Sequence, residues 1–460
     1  MKINRNTDLA RRAFLKRSGA LGIAGAAAPW ALNLAAIGEA AAQTAGDYKA
    51  LVCVFLYGDN DHGNTLVPYD NTNYAAYQSI RGVLATAQAN LASTVLAPAT
   101  PLPNGLQLAL SPSLTALKTL FDQGKLAVQL NVGTLIVPTT LAQYQSGSVP
   151  LPVNLFSHSD QQAEWQSTAS GGASTGWGGR MGDLFLSSNT KSALTCISVT
   201  GNTVYLAGQQ AVQYQVGTSG AVGIRGVKSA LFGSSACQTQ LNSLIRRTSS
   251  QLLENEHAIV TARSIDTEVA VTSALSGVPA FTTTFDSNNS LAMQLQAVAK
   301  LIAARSALGA SRQVFLVSLD GFDLHNNLVA QHPVLLTRVN DALNSFYQVT
   351  VELGIANQVT TFTASDFGRT LTTNGSGSDH GWGGHHFVVG GAVQGGKFYG
   401  TAPAVSVNGP DDVGQGRLLP TTSVDQFAAT LATWFGVSSG NLATVIPNIG
   451  NYSTRNLGFV

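Results

Sequence analysis

The sequence predicts an α/β fold: a doubly wound, mostly parallel sheet covered by helices, with an inserted cap region. Three observations predict the sheet and its layers. Continuous apolar or β-branched runs recur at residues 51–57 (LVCVFLY), 314–319 (VFLVSL) and 359–364 (VTTFTA), as in strands covered on both faces. Each run stops at a polar, acid-bearing segment: Gly58-Asp59-Asn60-Asp61, Asp320-Gly321-Phe322-Asp323 and Ser365-Asp366. Stretches of helical spacing stand between them, and this strand–acid, helix, strand–acid order is that of a parallel sheet wound with crossover helices.

The first 42 residues read as an export address. Arg11 and Arg12 open the twin-arginine motif R-R-A-F-L-K, a mild apolar run follows over residues 21–37, and Ala40-Ala41-Ala42 supplies an A-x-A cleavage site before Gln43. The run is rich in Ala and Gly and broken by Pro29, which argues against a stable membrane anchor. The expected partner here is the twin-arginine translocase, and the expected location periplasmic or secreted. Six of the 25 basic and two of the 24 acidic residues lie in this segment, leaving the mature chain at −3. Charged residues are only 11% of the chain, against roughly 25% in typical soluble domains, so no basic footprint for nucleic acid is offered.

The core is expected in two parts, residues 43–184 and 290–460, with the insertion at 185–289. After the first strand, residues 58–65 carry acids at the sheet's carboxyl edge, where open α/β folds build their sites; Asp, Asn and Gly also favour turns for backbone reasons alone. A helix is predicted near residues 111–123 and a strand at 125–132. In the segment Asn154 to Trp165, Ser157 reads as an N-cap, and equally as a hydroxyl nucleophile or ligand held at a helix N-terminus. Residues 185–289 are rich in Ser, Thr, Gly and Gln, with short strands at 193–199 and 203–207 and a long helical stretch at 238–274. Helical spacing returns at Leu291, Leu295, Val298 and Ile302, and again over residues 333–352 with Gly354 at its end. Ser423 caps a last helix over residues 424–435, which Gly436 ends.

The glycine-rich loop after the 359–364 run carries Asp379, His380, His385 and His386, so three of the eight histidines fall within seven residues. Carboxylates and imidazoles at a sheet's carboxyl edge suit a divalent cation; a polar loop whose His and Asp cap backbone groups is the plain alternative. Cys53, Cys196 and Cys237 are too few and scattered for an iron–sulfur cluster or a cysteine zinc site, and whether Cys196 and Cys237 pair after export stays open. No G-x-G-x-x-G follows the first strand, which removes the dinucleotide-dependent oxidoreductases. Parallel strands share a carboxyl edge, so the three acid-bearing ends should converge. Their donor count suits one or two divalent ions, zinc, manganese or calcium, as used for phosphoryl transfer.

N-D-x-x-N-T at 60–65, S-H-x-D at 157–160, G-F-D-x-H at 321–325, D-F-G-R-T at 366–370 and S-D-H-G from 378, behind a twin-arginine signal, resemble the bacterial family called domain of unknown function 1501. That family is similar to the alkaline phosphatase and sulfatase superfamily. The resemblance covers nearly all of the mature chain. It implies an alkaline-phosphatase-like α/β/α sandwich, with metal ligands at Asp61, Asp323, His325, Asp366, Asp379, His380 and His385, Ser157 as nucleophile, and Arg369 as holder of the anionic group. The acid and histidine of Asp323 and His325 are separated by one residue where the superfamily has three. The superfamily's Asp-His pair aligns either with Asp379-His380 or with Asp366-Phe367. No Cys/Ser-x-Pro-x-Arg motif occurs, which disfavours a formylglycine sulfatase. The resemblance therefore implies a metal-dependent hydrolase of a phosphate or related ester, on a small-molecule or polymer substrate; a non-catalytic binding or assembly protein on the same fold is the alternative.

Overall fold

The computed structural model describes residues 47–169 and 173–460. The export segment lies outside the described residues. Six strands organise the main sheet: β1 (Lys49–Leu56), β2 (Leu126–Gly133), β3 (Cys196–Ser198), β4 (Arg312–Leu319), β5 (Val359–Ser365) and β6 (Gly384–Gly390). Their spatial order is β2-β6-β5-β1-β4-β3, with short strands Lys397–Tyr399 and Tyr214–Gly217 outside the two ends. β3, β4, β1 and β5 are mutually parallel. β6 runs antiparallel between β5 and β2, so β2 keeps the common direction. The sheet is therefore mostly parallel, and β6, reversed among these six strands, begins at the edge where the others end.

Alternation along β1 shows why the sheet needs two covering layers. Ala50, Val52, Val54 and Leu56 enter one core, with the helices Ser290–Ala303 and Leu328–Glu352. Leu51, Cys53 and Phe55 enter the other, with Trp177–Phe185 and Val424–Phe435. Successive side chains of a strand point to opposite faces, so a strand apolar throughout must be buried twice. Each fully buried Val or Leu contributes about 1.5–3 kcal/mol, and an acid at Val54 would leave an unpaired charge in the first core. The last helix starts on a capping box: Ser423 Oγ accepts from Gln426 N at 3.0 Å and Gln426 Oε1 from Ser423 N at 3.1 Å.

Residues 185–289 depart from the sequence expectation in detail. Residues 203–207 form turns, and the long helical stretch is two helices, Ser235–Ile245 and Leu252–Ser276. β3 joins the main sheet beside β4. Cys196 is buried and Cys237 exposed, and both are free. Among the described residues no helix is long and apolar enough to cross a membrane.

Candidate metal centre

The site is built where β1, β4 and β5 end. After β1 the chain turns at Gly58, whose φ of +95° suits glycine, and a Cβ there would sit 2.6 Å from the backbone nitrogen of Asp323. Glycine thus lets the loops after β1 and β4 touch. Asp59 follows, also with positive φ, and is fully buried. From β4 come Asp323 and His325, from β5 Asp366 and Arg369, and from the loop before β6 Asp379 and His380. His158 is the first residue of the helix His158–Ser167, whose N-terminus faces this edge.

Three imidazoles meet here with their Nδ1 hydrogens already committed. His158 Nδ1 lies 2.6 Å from Asp366 Oδ2 and His325 Nδ1 3.0 Å from Asp379 Oδ1. His380 Nδ1 lies 2.8 Å from the Phe156 carbonyl oxygen. Carbonyl and carboxylate oxygens only accept, so in each neutral ring Nδ1 carries the proton and Nε2 a lone pair. Two of these lone pairs face that of His380: His158 Nε2 is 3.1 Å and His325 Nε2 3.0 Å from His380 Nε2. Neutral rings of this tautomer cannot hydrogen-bond to one another there. Donor atoms of a tetrahedral zinc site lie roughly 3.3–3.4 Å apart given bonds of ~2.0–2.1 Å, so a small outward shift of the rings would seat a cation.

Carboxylates complete the donor set. Asp323 Oδ1 is 2.9 Å from His325 Nε2 and 3.3 Å from His380 Nε2. Asp59 Oδ1, buried and without a hydrogen-bond partner, lies 3.9 Å from His158 Nε2. One donor atom each from Asp59, His158, Asp323 and His380 falls within 4.8 Å of all the others. Asp366 Oδ2 also accepts from Gln162 Nε2 at 2.8 Å and Gly58 N at 3.2 Å. Asp366 thus fixes the orientation of the His158 ring through Nδ1.

Electrostatics follow from burial. Burial pushes the Asp59 carboxyl well above its usual range, opposed by Arg369. Burial also opposes ionisation at Asp323, but the hydrogen bond from Arg369 and the adjacent imidazoles pull its pKa down. The hydrogen bond to Asp366 raises His158, whereas burial lowers His380. At Asp379 burial is outweighed by hydrogen bonds from Asn374 and His325.

The structure sorts the residues singled out from the sequence. Asp323, His325, Asp366, Asp379 and His380 come together. Asp61 does not join them: it is buried in an ion pair with Arg81. His385 is buried on β6, where its Nδ1 accepts from Asn131 N at 3.0 Å, and its ring meets His62 edge-on. His386 points to the opposite face, against Trp165. Arg369 is wholly buried; Nη1 binds Asp59 Oδ2 at 2.6 Å and Asp323 Oδ1 at 3.0 Å, while Nε and Nη2 bind Ser378. Its fork is occupied by protein groups. Ser157 stands at the N-cap position without a capping bond, and its Oγ donates instead to Asp160 Oδ2 at 2.6 Å. Asp59 and His158 are absent from the ligand set that the resemblance implies, although Asp59 stands in the acid-bearing segment after β1 and His158 in the motif at 157–160.

The sequence matches the family model described as "Protein of unknown function (DUF1501)" over residues 48–446. No curated protein matches the chain. Among solved structures the chain is similar, at 9% identity, to the lipoteichoic acid synthase LtaP from Listeria monocytogenes, covering 90% of this chain and 81% of that one with a TM-score of 0.34. It is similar at 11% identity to the PsFucS1 sulfatase from Pseudoalteromonas sp., with coverage of 90% and 73% and a TM-score of 0.34. A third, Ps i-CgsB in complex with k-i-k-neocarrahexaose, is 10% identical, with coverage of 88% and 77% and a TM-score of 0.36. Likeness at these scores has no bearing on the chemistry, which rests on the side chains above.

Proposed function

The chain belongs to the DUF1501 family, and we propose that it is an exported metal-dependent hydrolase of phosphate or related esters. The observation that carries this reading is that Nε2 of His158 and of His325 lie 3.1 and 3.0 Å from Nε2 of His380, each ring fixed through Nδ1. Nε2 of His158, His325 and His380 would hold a divalent cation together with Asp323 and Asp59, while Asp366 and Asp379 orient two of the rings. Three imidazoles favour zinc over calcium, which takes oxygen ligands. When bound, such a cation supplies neutralising charge and polarises an ester oxygen.

The chain's own groups set the rest. Arg369 holds the carboxylates of Asp59 and Asp323 in place from behind, which fixes two donors without using substrate binding energy. Ser157 is the candidate nucleophile: it lies between Phe156 and His158, both of which contact His380. Asp160 accepts the Ser157 hydroxyl hydrogen, and that bond chiefly holds its pKa below the usual carboxylate value. Asp160 is accordingly a weak base, and its part is to orient the hydroxyl.

The test is elemental analysis of the purified protein, with phosphomonoesterase and phosphodiesterase turnover measured before and after chelation. We expect about one or two equivalents of divalent metal and turnover that chelation abolishes and metal restores. Absence of both bound metal and chelator-sensitive turnover would refute the reading. A second reading, a binding or assembly role, is favoured by the exposure of Phe232 (92%), Leu253 (85%) and Leu252 (75%) in the 185–289 region. Alanine at His380 and Asp323 separates the two: under the second reading partner binding survives loss of the metal.

A further inference from the structure

We propose that Arg417 is the substrate-recognition cation of this site, taking the tetrahedral oxyanion of a phosphate or sulfate ester at the rim of the cluster. The inference rests on the hydrolase reading and names the group that reading lacks. Arg369 cannot fill the role, because its donors face Asp59, Asp323 and Ser378 inside the protein. Four carboxyl groups, Asp59, Asp323, Asp366 and Asp379, stand against that one guanidinium, so with all four ionised around a single divalent cation the cluster stays negative. An anionic substrate then needs a further positive group.

Arg417 is placed for it. Its Nε donates to the backbone carbonyl of His380 at 2.8 Å, and Nη1 reaches Gly414 O at 3.3 Å. The guanidinium lies 4.9 Å from the centre of the Phe156 ring, within the range of a cation–π contact. Phe156 is itself unusual: a bulky residue with φ of +70°, a conformation that costs energy and marks functional segments. That turn directs its carbonyl to His380 while its ring supports Arg417. The acids nearest in sequence are engaged elsewhere. Asp412 accepts from the backbone nitrogens of Asn408, Gly414 and Gly416, and Asp411 from Ala404. Among the described residues Arg417 is thus a half-buried cation held by carbonyls and a ring face, with no carboxylate partner. A guanidinium fixed in this way keeps one edge for bidentate contact with an oxyanion.

The experiment measures zinc and then inorganic phosphate binding, by calorimetry on the metal-loaded protein, for wild type, Arg417→Ala and Arg417→Lys. We expect unchanged zinc affinity in both variants. Phosphate affinity should fall about tenfold to a hundredfold in Arg417→Ala, the loss of one charged hydrogen-bonded contact, and less in Arg417→Lys. Equal phosphate affinity in zinc-loaded wild type and Arg417→Ala overturns the inference and leaves the metal centre standing. Loss of zinc affinity in step with phosphate affinity also overturns it, assigning Arg417 to support of the His380 loop. If Arg417→Ala does not fold, wild-type phosphate affinity in both Arg417→Lys and a folded Arg417→Gln overturns it as well. Failure of wild type to bind zinc at all removes the hydrolase reading together with this one.

Discussion

Replacing Asp366 with Asn tests whether the ligating rings are positioned from behind. One oxygen, Oδ2, accepts from His158 Nδ1 at 2.6 Å, Gln162 Nε2 at 2.8 Å and Gly58 N at 3.2 Å. An amide is isosteric and can still accept through one oxygen, so the fold should survive. What disappears is the charge that strengthens the His158 bond and the basicity it lends to Nε2 on the far side of the ring. Loss of a carboxylate behind a metal-bound histidine lowers metal affinity about tenfold to a hundredfold, or about 1.4–2.8 kcal/mol. The assay is a competition titration of zinc against a chelating indicator at pH 7.5, with circular dichroism and thermal unfolding of the metal-free protein as controls. We expect weaker zinc binding at unchanged stoichiometry and unchanged metal-free stability. Wild-type zinc affinity in a folded Asp366→Asn variant would refute the claim that His158 presents Nε2 to a cation because Asp366 holds Nδ1.

Other perturbations act on the scaffold. Gly58→Ala combines a positive φ with a Cβ 2.6 Å from Asp323 N; it should cost about 1–3 kcal/mol in chemical denaturation and displace the loop bearing Asp323, and unchanged stability would contradict that packing. Arg369→Met leaves the buried Asp59 carboxylate without its partner, a loss of about 3–5 kcal/mol by the same assay, whereas an Arg369 that served substrate alone could be removed without cost to stability. Burial lowers His62 and His332 to about 4 and His386 to about 3. The unfolded chain binds these protons first, so stability should be level above the unfolded value of roughly 6.5 and fall by about 1.4 kcal/mol per pH unit per histidine as pH drops from there towards 4. Denaturant midpoints at pH 7.5 and 5 that coincide would rule this out.

Strand positions and their common edge are legible because buried parallel strands write themselves as unbroken apolar runs that end in acids. The reversal of β6 is less so: its run of Phe387, Val388 and Val389 fits either direction, and only pairing with β5 and β2 decides it. Within motifs, sequence shows which segments reach the edge but not which side chain turns inward. The positive φ at Gly58 and Asp59 brings Asp59 to the cluster, while Asp61 is matched by Arg81, twenty residues along. His158 stands within its motif, yet the serine beside it draws the chemical reading; the helix N-terminus carries the ring to Asp366. His385 and His386 alternate across a strand, so they face opposite sides of the sheet.

The most direct measurement of the metal centre is a crystal structure of protein grown with zinc and recorded on both sides of the zinc absorption edge. An anomalous peak about 2.0–2.1 Å from Nε2 of His158, His325 and His380 is the predicted result. A well-ordered site without such a peak, or with zinc held elsewhere while these three nitrogens keep their distance from it, would contradict the account.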